Sequence, residues 1–171
     1  SYIRRTAVTR TFHQTVAIVV PWLVCATALV STEARANTNQ KFATVGPFEI
    51  IRIYEGQDFT RCAASLGQGS GMLRIAYNAE RKHIISVPGV KKSNDLMMYI
   101  EGPEDVDDIS FKAQSDGNRT WGNLDKKQVK DFVRTKKQIR VFVNQDNSPD
   151  QKTFTWPIGN TSLAEVVSKV E

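Results

Sequence analysis

From residue 48 onward, short runs rich in β-branched and aromatic residues recur about every ten residues, and a turn signal follows nearly every run. No other feature constrains the fold as strongly. The runs are 48–54 (FEIIRIY), 59–65 (FTRCAAS), 72–77 (MLRIAY), 83–87 (HIISV), 95–101 (DLMMYIE), 109–114 (ISFKAQ), 119–121, 139–143 (IRVFV) and 152–156. Gly46-Pro47, Gly56, the glycines at 67, 69 and 71, Asn78 to Arg81, Pro88-Gly89, Gly102-Pro103, Asp116-Gly117 and residues 146–150 separate them. Asp116-Gly117 is the strongest hairpin signal of these. Two segments change period. Over 125–137, Val129, Phe132 and Val133 fall at i, i+3 and i+4 with lysines opposite, which predicts a short amphipathic helix capped by Asn123 or Asp125. Ser162-Leu163-Ala164-Glu165 is a capping-box pattern, and it opens a final helix with Leu163, Val166, Val167 and Val170 on one face. The expectation is a mainly β protein: an antiparallel β-sandwich or small barrel with one short internal helix and a C-terminal helix. Without a repeat of 20–50 residues, 48–171 reads as one domain after a polar, flexible leader over 37–47.

The first 36 residues read differently. Residues 1–15 carry three arginines and no acid, residues 16–30 carry no charge, and Ala34-Arg35-Ala36 places small residues before Asn37. A basic region, a short apolar region and an A-x-A site make a secretory signal peptide, with Ala34 and Ala36 marking the cut. The 15 uncharged residues would form a helix of roughly 22 Å, short of the roughly 30 Å hydrocarbon core. The alternative is an uncleaved N-terminal anchor, holding the body on the periplasmic side of the inner membrane. Cys25 then counts as a small apolar residue of this segment. Export predicts a periplasmic or secreted body. Of the net charge of +5, residues 1–36 hold +3 and the other 135 hold +2. A nearly balanced body outside the cytoplasm excludes nucleic acid as the expected partner. Any membrane contact would run through the uncleaved segment alone.

Candidate chemistry in the body is sparse. Cys62 and His83 are the only cysteine and histidine after residue 36. Cys62 alternates with Thr60 and Ala64, so the first expectation is a buried thiol. A lone cysteine in an oxidising compartment also allows an intermolecular link, hence a disulfide-linked dimer. A Cys62–His83 nucleophile would need the two side chains adjacent. The glycines at 67, 69 and 71 lack the Gly-Lys-Ser/Thr and the helix of a phosphate loop, so they predict a hairpin loop. The acidic loop 101–108 lacks the glycine and terminal Glu of a calcium loop. No metal site and no cofactor are expected. The most concentrated charge is Lys126, Lys127, Lys130, Arg134, Lys136, Lys137 and Arg140 against Asp131. It reads either as the wet face of a helix or as a docking site for an acidic partner. Of the strand aromatics, Trp121 beside Gly122 is expected to be the most exposed and joins this candidate site.

Four features together resemble one known family. A signal peptide precedes a short leader. An aromatic-x-x-Cys strand opens the body at Phe59-Thr60-Arg61-Cys62. Val87-Pro88-Gly89-Val90 precedes a strand ending Ile100-Glu101-Gly102, and a strand–Gly–helix runs from Phe154 through Gly159 to Val170. Over most of 48–170 this layout is similar to the invasion-associated locus B family of exported alphaproteobacterial proteins. It departs from the family pattern at Phe59, where Trp is usual, and in having one body cysteine instead of a pair. The resemblance implies a bacterial cell-envelope protein with a β-sandwich-like body, no assigned enzymatic activity, and a role in host-cell interaction. Together these readings predict a non-enzymatic domain that binds a protein or an anionic envelope polymer. The alternative is a small periplasmic inhibitor of an envelope-degrading hydrolase such as lysozyme, inserting the 67–71 or 101–108 loop.

Overall fold

The computed structural model describes residues 37–93, 95–145 and 151–171. The expected signal segment, with Ala34 and Ala36, and the expected turn at 146–150 lie outside the described residues. The chain order is β1 (Asn37–Val45), β2 (Phe48–Glu55), β3 (Asp58–Leu66), a 3-10 turn (Gly69–Gly71), β4 (Leu73–Tyr77), β5 (His83–Pro88), β6 (Leu96–Ile100), β7 (Ile109–Ser115), β8 (Arg119–Leu124), α1 (Lys126–Phe132), β9 (Lys137–Gln145), β10 (Gln151–Gly159) and α2 (Leu163–Val170). All strands join one antiparallel sheet in the order β1-β2-β3-β4-β5-β8-β7-β6-β9-β10. The protein is therefore mainly β with one short internal and one C-terminal helix, and the sheet is not closed into a barrel.

The sheet curls instead. β4 and β10 stand six steps apart in the strand order, roughly 29 Å if the sheet were flat. Yet Trp156 Nε1 on β10 donates to Gly71 O just before β4, at 2.9 Å. Period-2 alternation explains what the curl encloses. Phe48, Ile50, Ala64, Leu66, Leu73, Ile75, Ile85, Val87, Met98, Ile100, Phe111, Val141 and Val143 all face one core, to which α1 adds Phe132. Leu163, Val166, Val167 and Val170 of α2 are all buried in that core, over β2, β3 and β4. Ser162 Oγ accepts the Glu165 N–H at 3.3 Å and caps this helix.

Three expectations change. Residues 37–45, read as a flexible leader, form edge strand β1 paired along β2. Most β1 side chains are exposed, with only Val45 buried in the core and Ala43 packed against it, so backbone hydrogen bonds hold most of this strand and apolar periodicity could not reveal it. The internal helix ends at Phe132 and does not reach residue 137. Lys137 takes φ +68° and starts β9, whose Ile139, Val141 and Val143 must alternate into the core. Trp121 is half-buried, whereas Phe59 is 55% exposed.

Asp125 is the α1 cap, and it forms a full capping box. Its carboxylate accepts Gln128 N–H at 2.8 Å and Gln128 Oε1 accepts Asp125 N–H at 2.8 Å. Asp125→Ala is expected to cost about 1 kcal/mol in a urea melt.

The Val87-Pro88-Gly89-Val90 segment has a structural task. Gly89 N–H donates to Asn118 O at 2.9 Å and Val90 N–H to Thr120 Oγ1 at 3.0 Å. The buried Ser115 Oγ donates to Val90 O at 2.7 Å and accepts from Thr120 Oγ1 and Gly117 N at 3.1 Å each. This polar knot fastens the chain leaving β5 to the β7–β8 hairpin.

Candidate functional site

Because α1 is short, the basic segment is not one helix face. Lys126, Lys127 and Lys130 lie on α1, Arg134 and Lys136 in the turn, and Lys137 and Arg140 on β9. Arg140 is half-buried and the other six are exposed. The acidic loop after β6 neutralises part of the segment. Arg134 is ion-paired with Asp105, and Arg140 Nη1 lies 3.1 Å from Glu101 Oε1. Lys127 pairs with Asp131 at 2.9 Å, one turn along α1. The Arg134 hydrogen bond holds the Asp105 carboxyl below its usual range, and the Asp131 hydrogen bond raises the Lys127 ammonium. Lys126, Lys130, Lys136 and Lys137 have no carboxylate partner among the described residues.

The loop and the turn enclose a cleft of about 940 Å³. Glu101, Glu104 and Asp105 form one wall, and Arg134, Lys136 and Lys137 form the other. Between them Thr135 is 7% exposed, and its hydroxyl has no hydrogen-bond partner. A buried hydroxyl without a partner is costly, so a polar ligand atom there would be favoured. The loop itself is pre-formed: Gly102 N–H donates to Asp108 Oδ1 at 3.1 Å and Val106 N–H to Pro103 O at 2.9 Å. Thr135 was not legible as a site residue, because burial of its hydroxyl comes from the turn between α1 and β9.

The structure does not bring Trp121 to this cleft. Trp121 lines a separate groove with Asp95, Met97, Lys112, Gln114 and Asn123. Its side of β8 faces away from the core, as period-2 alternation with the buried Thr120 and Leu124 requires.

Cys62 is a free, half-buried thiol packed against the core. Burial raises its pKa, and the Arg52 charge opposes that rise only in part. Cys62 pairs with Tyr77, and Tyr77 pairs with His83. The thiol and the imidazole are therefore two strand spacings apart, roughly 10 Å, with the Tyr77 ring 4.8 Å from the His83 ring. That separation removes the hydrogen bond a Cys–His nucleophile needs. His83 Nε2 instead lies 3.0 Å from Glu171 Oε1, close enough for an ion pair on protonation but without an aligned hydrogen bond.

Comparison with known proteins finds no family model, no curated protein and no solved structure that matches the chain. The site therefore stands on its own geometry.

Proposed function

We propose that this is an exported, non-enzymatic binding domain of the bacterial cell envelope, similar to invasion-associated locus B proteins. It docks an acidic segment of a protein, or an anionic envelope polymer, in the cleft between the acidic loop and the basic turn. One observation carries the reading. Lys136 and Lys137 rim the cleft without carboxylate partners among the described residues, over the unpartnered Thr135 hydroxyl. A ligand oxyanion would meet two ammonium groups. The walls of opposite charge fix its orientation, which is how rim charges contribute specificity and association rate.

The test is co-sedimentation of the protein with isolated envelopes, before and after protease treatment of the envelopes. The double variant Lys136→Gln/Lys137→Gln is expected to bind about five- to tenfold more weakly, with a smaller salt dependence. Lys127→Gln, whose charge already faces Asp131, serves as the control. Equal binding by the double variant and the wild type would reject the reading. Loss of binding after proteolysis identifies a protein partner, and retained binding a polymer.

The pre-formed 101–108 loop favours one second reading, the hydrolase inhibitor. It requires that the protein inhibit a lysozyme, that Glu104→Gln relieve the inhibition, and that the two lysine substitutions leave it unchanged.

A further inference from the structure

The outward face of the sheet carries a second set of cations, remote in sequence from the basic segment. Alternation places Arg61 and Ser65 of β3, Arg74 of β4, and Arg119 and Trp121 of β8 on the side away from the core. Ser65, Arg74, Ser86 and Trp121 form one cross-strand row on β3, β4, β5 and β8. Arg119 reaches across β5. Its Nε donates to Ser86 Oγ at 2.9 Å, Nη2 to Ser86 O at 2.7 Å and Nη1 to Met72 O at 2.7 Å. Arg74 Nη2 lies 3.5 Å from Met72 Sδ. Two half-buried guanidinium groups thus meet at one residue, Met72.

No ion pair on the described part of the chain neutralises them. Arg61, Arg74 and Arg119 have no carboxylate within ion-pair distance among the described residues. Glu49 shares the cross-strand row but is held by Lys41 at 2.6 Å. The nearest acid to Arg119 is Asp116, and its Oδ1 accepts the backbone N–H of Asn118 and Arg119 at 2.8 and 2.7 Å. Two buried polar atoms of the row are also unpartnered: Arg74 Nε and Ser65 Oγ, on directly paired residues. Burial first, and then the like charge of a neighbouring arginine, lowers the pKa of both Arg74 and Arg119, with Asp116 opposing at Arg119. Converging like charges are unfavourable in the free protein, and an anion drawn to the two guanidinium groups would relieve them.

We propose that Arg74 and Arg119 form a binding site for a doubly charged tetrahedral oxyanion, a phosphate or sulfate group that is free or carried on a polymer. The chemistry favours this class over a single carboxylate. Two guanidinium charges match a dianion, and three or four acceptor oxygens can engage two donor forks at once. Arg119 is already tied to the backbone, so it holds its remaining donors in place. Arg61, exposed at the border of the site, would steer the anion inward. This site is independent of the cleft beside Lys136 and Lys137.

The experiment is a titration of the full ¹⁵N-labelled chain with inorganic phosphate, following arginine Nε–H and backbone amide resonances. Saturable shifts at Arg74 Nε–H and at the Ser65 amide are the expected result. Arg74→Gln should weaken the phosphate affinity at least about tenfold, the loss of a charge-assisted hydrogen bond. Arg74→Lys keeps the charge and should retain only part of the affinity. Lys136→Gln/Lys137→Gln should leave it unchanged. The wild-type shifts alone decide the matter should Arg74→Gln fail to fold. Shifts that map to residues 126–140, shifts that never saturate, or acetate binding as tightly as phosphate would each overturn the proposal.

Discussion

Gly89→Ala is expected to destabilise the protein by about 3 kcal/mol, lowering the melting temperature by about 10 °C. A β-carbon at position 89 would stand inside contact distance of the Gly117 carbonyl and of Asn118 C. Those atoms are backbone and cannot swing aside. They belong to the β7–β8 hairpin, whose Asn118 O accepts the Gly89 N–H. Relief by moving the segment would also pull Val90 from Thr120 and Ser115, breaking the hydrogen bonds at its N–H and carbonyl. Val90→Ala changes no hydrogen bond and serves as the comparison. A chemical-denaturation midpoint for Gly89→Ala within error of the wild type would show that the two chain segments separate freely.

Trp156→Ala is expected to cost about 3–5 kcal/mol, and Trp156→Phe about 1 kcal/mol. The difference separates two contributions of one side chain. The indole is 7% exposed, belongs to the main core and lies 6.0 Å centroid to centroid from the Phe154 ring. Its Nε1 also makes the bond to Gly71 O that joins the two distant parts of the curled sheet. Phenylalanine keeps most of the packing and loses that bond. Phe59→Ala, at a ring 55% exposed, should change stability by less than about 0.5 kcal/mol. Equal effects of the Trp156 and Phe59 substitutions would mean that the sheet does not depend on this contact for its curl.

The two anion-directed surfaces differ in how readily their residues announced themselves. The 126–140 segment stands out as a run of lysines and arginines. The run itself holds Asp131, four residues after Lys127, but it could not show that Arg134 and Arg140 face acids supplied by the loop after β6. Arg134 and Asp105 are 29 residues apart, and Arg140 and Glu101 are 39 apart. Trp121, assigned to the same patch from its neighbours in sequence, lies in another groove with residues of β6 and β7, whereas the cleft is built by the loop after β6 and the turn after α1. Arg61, Arg74 and Arg119 each look like an ordinary outward-pointing strand residue. Only strand order makes Arg74 and Arg119 neighbours, since β5 pairs with β8 and not with β6.

The strands from 48 to 156, the two helices and the inward-facing set of apolar residues were legible in the sequence. Period and turn chemistry are local properties, written within a few residues of where they act. β1 was not legible, because an exposed edge strand is held by backbone groups that every sequence possesses. The strand order, the curl closed by Trp156 and Gly71, the separation of Cys62 from His83, and the meeting of two arginines at Met72 were decided by the tertiary structure alone. Each depends on which distant strands share a ladder, and that choice is set by the total apolar area the curled sheet can bury around one core. No single window of the sequence contains that sum.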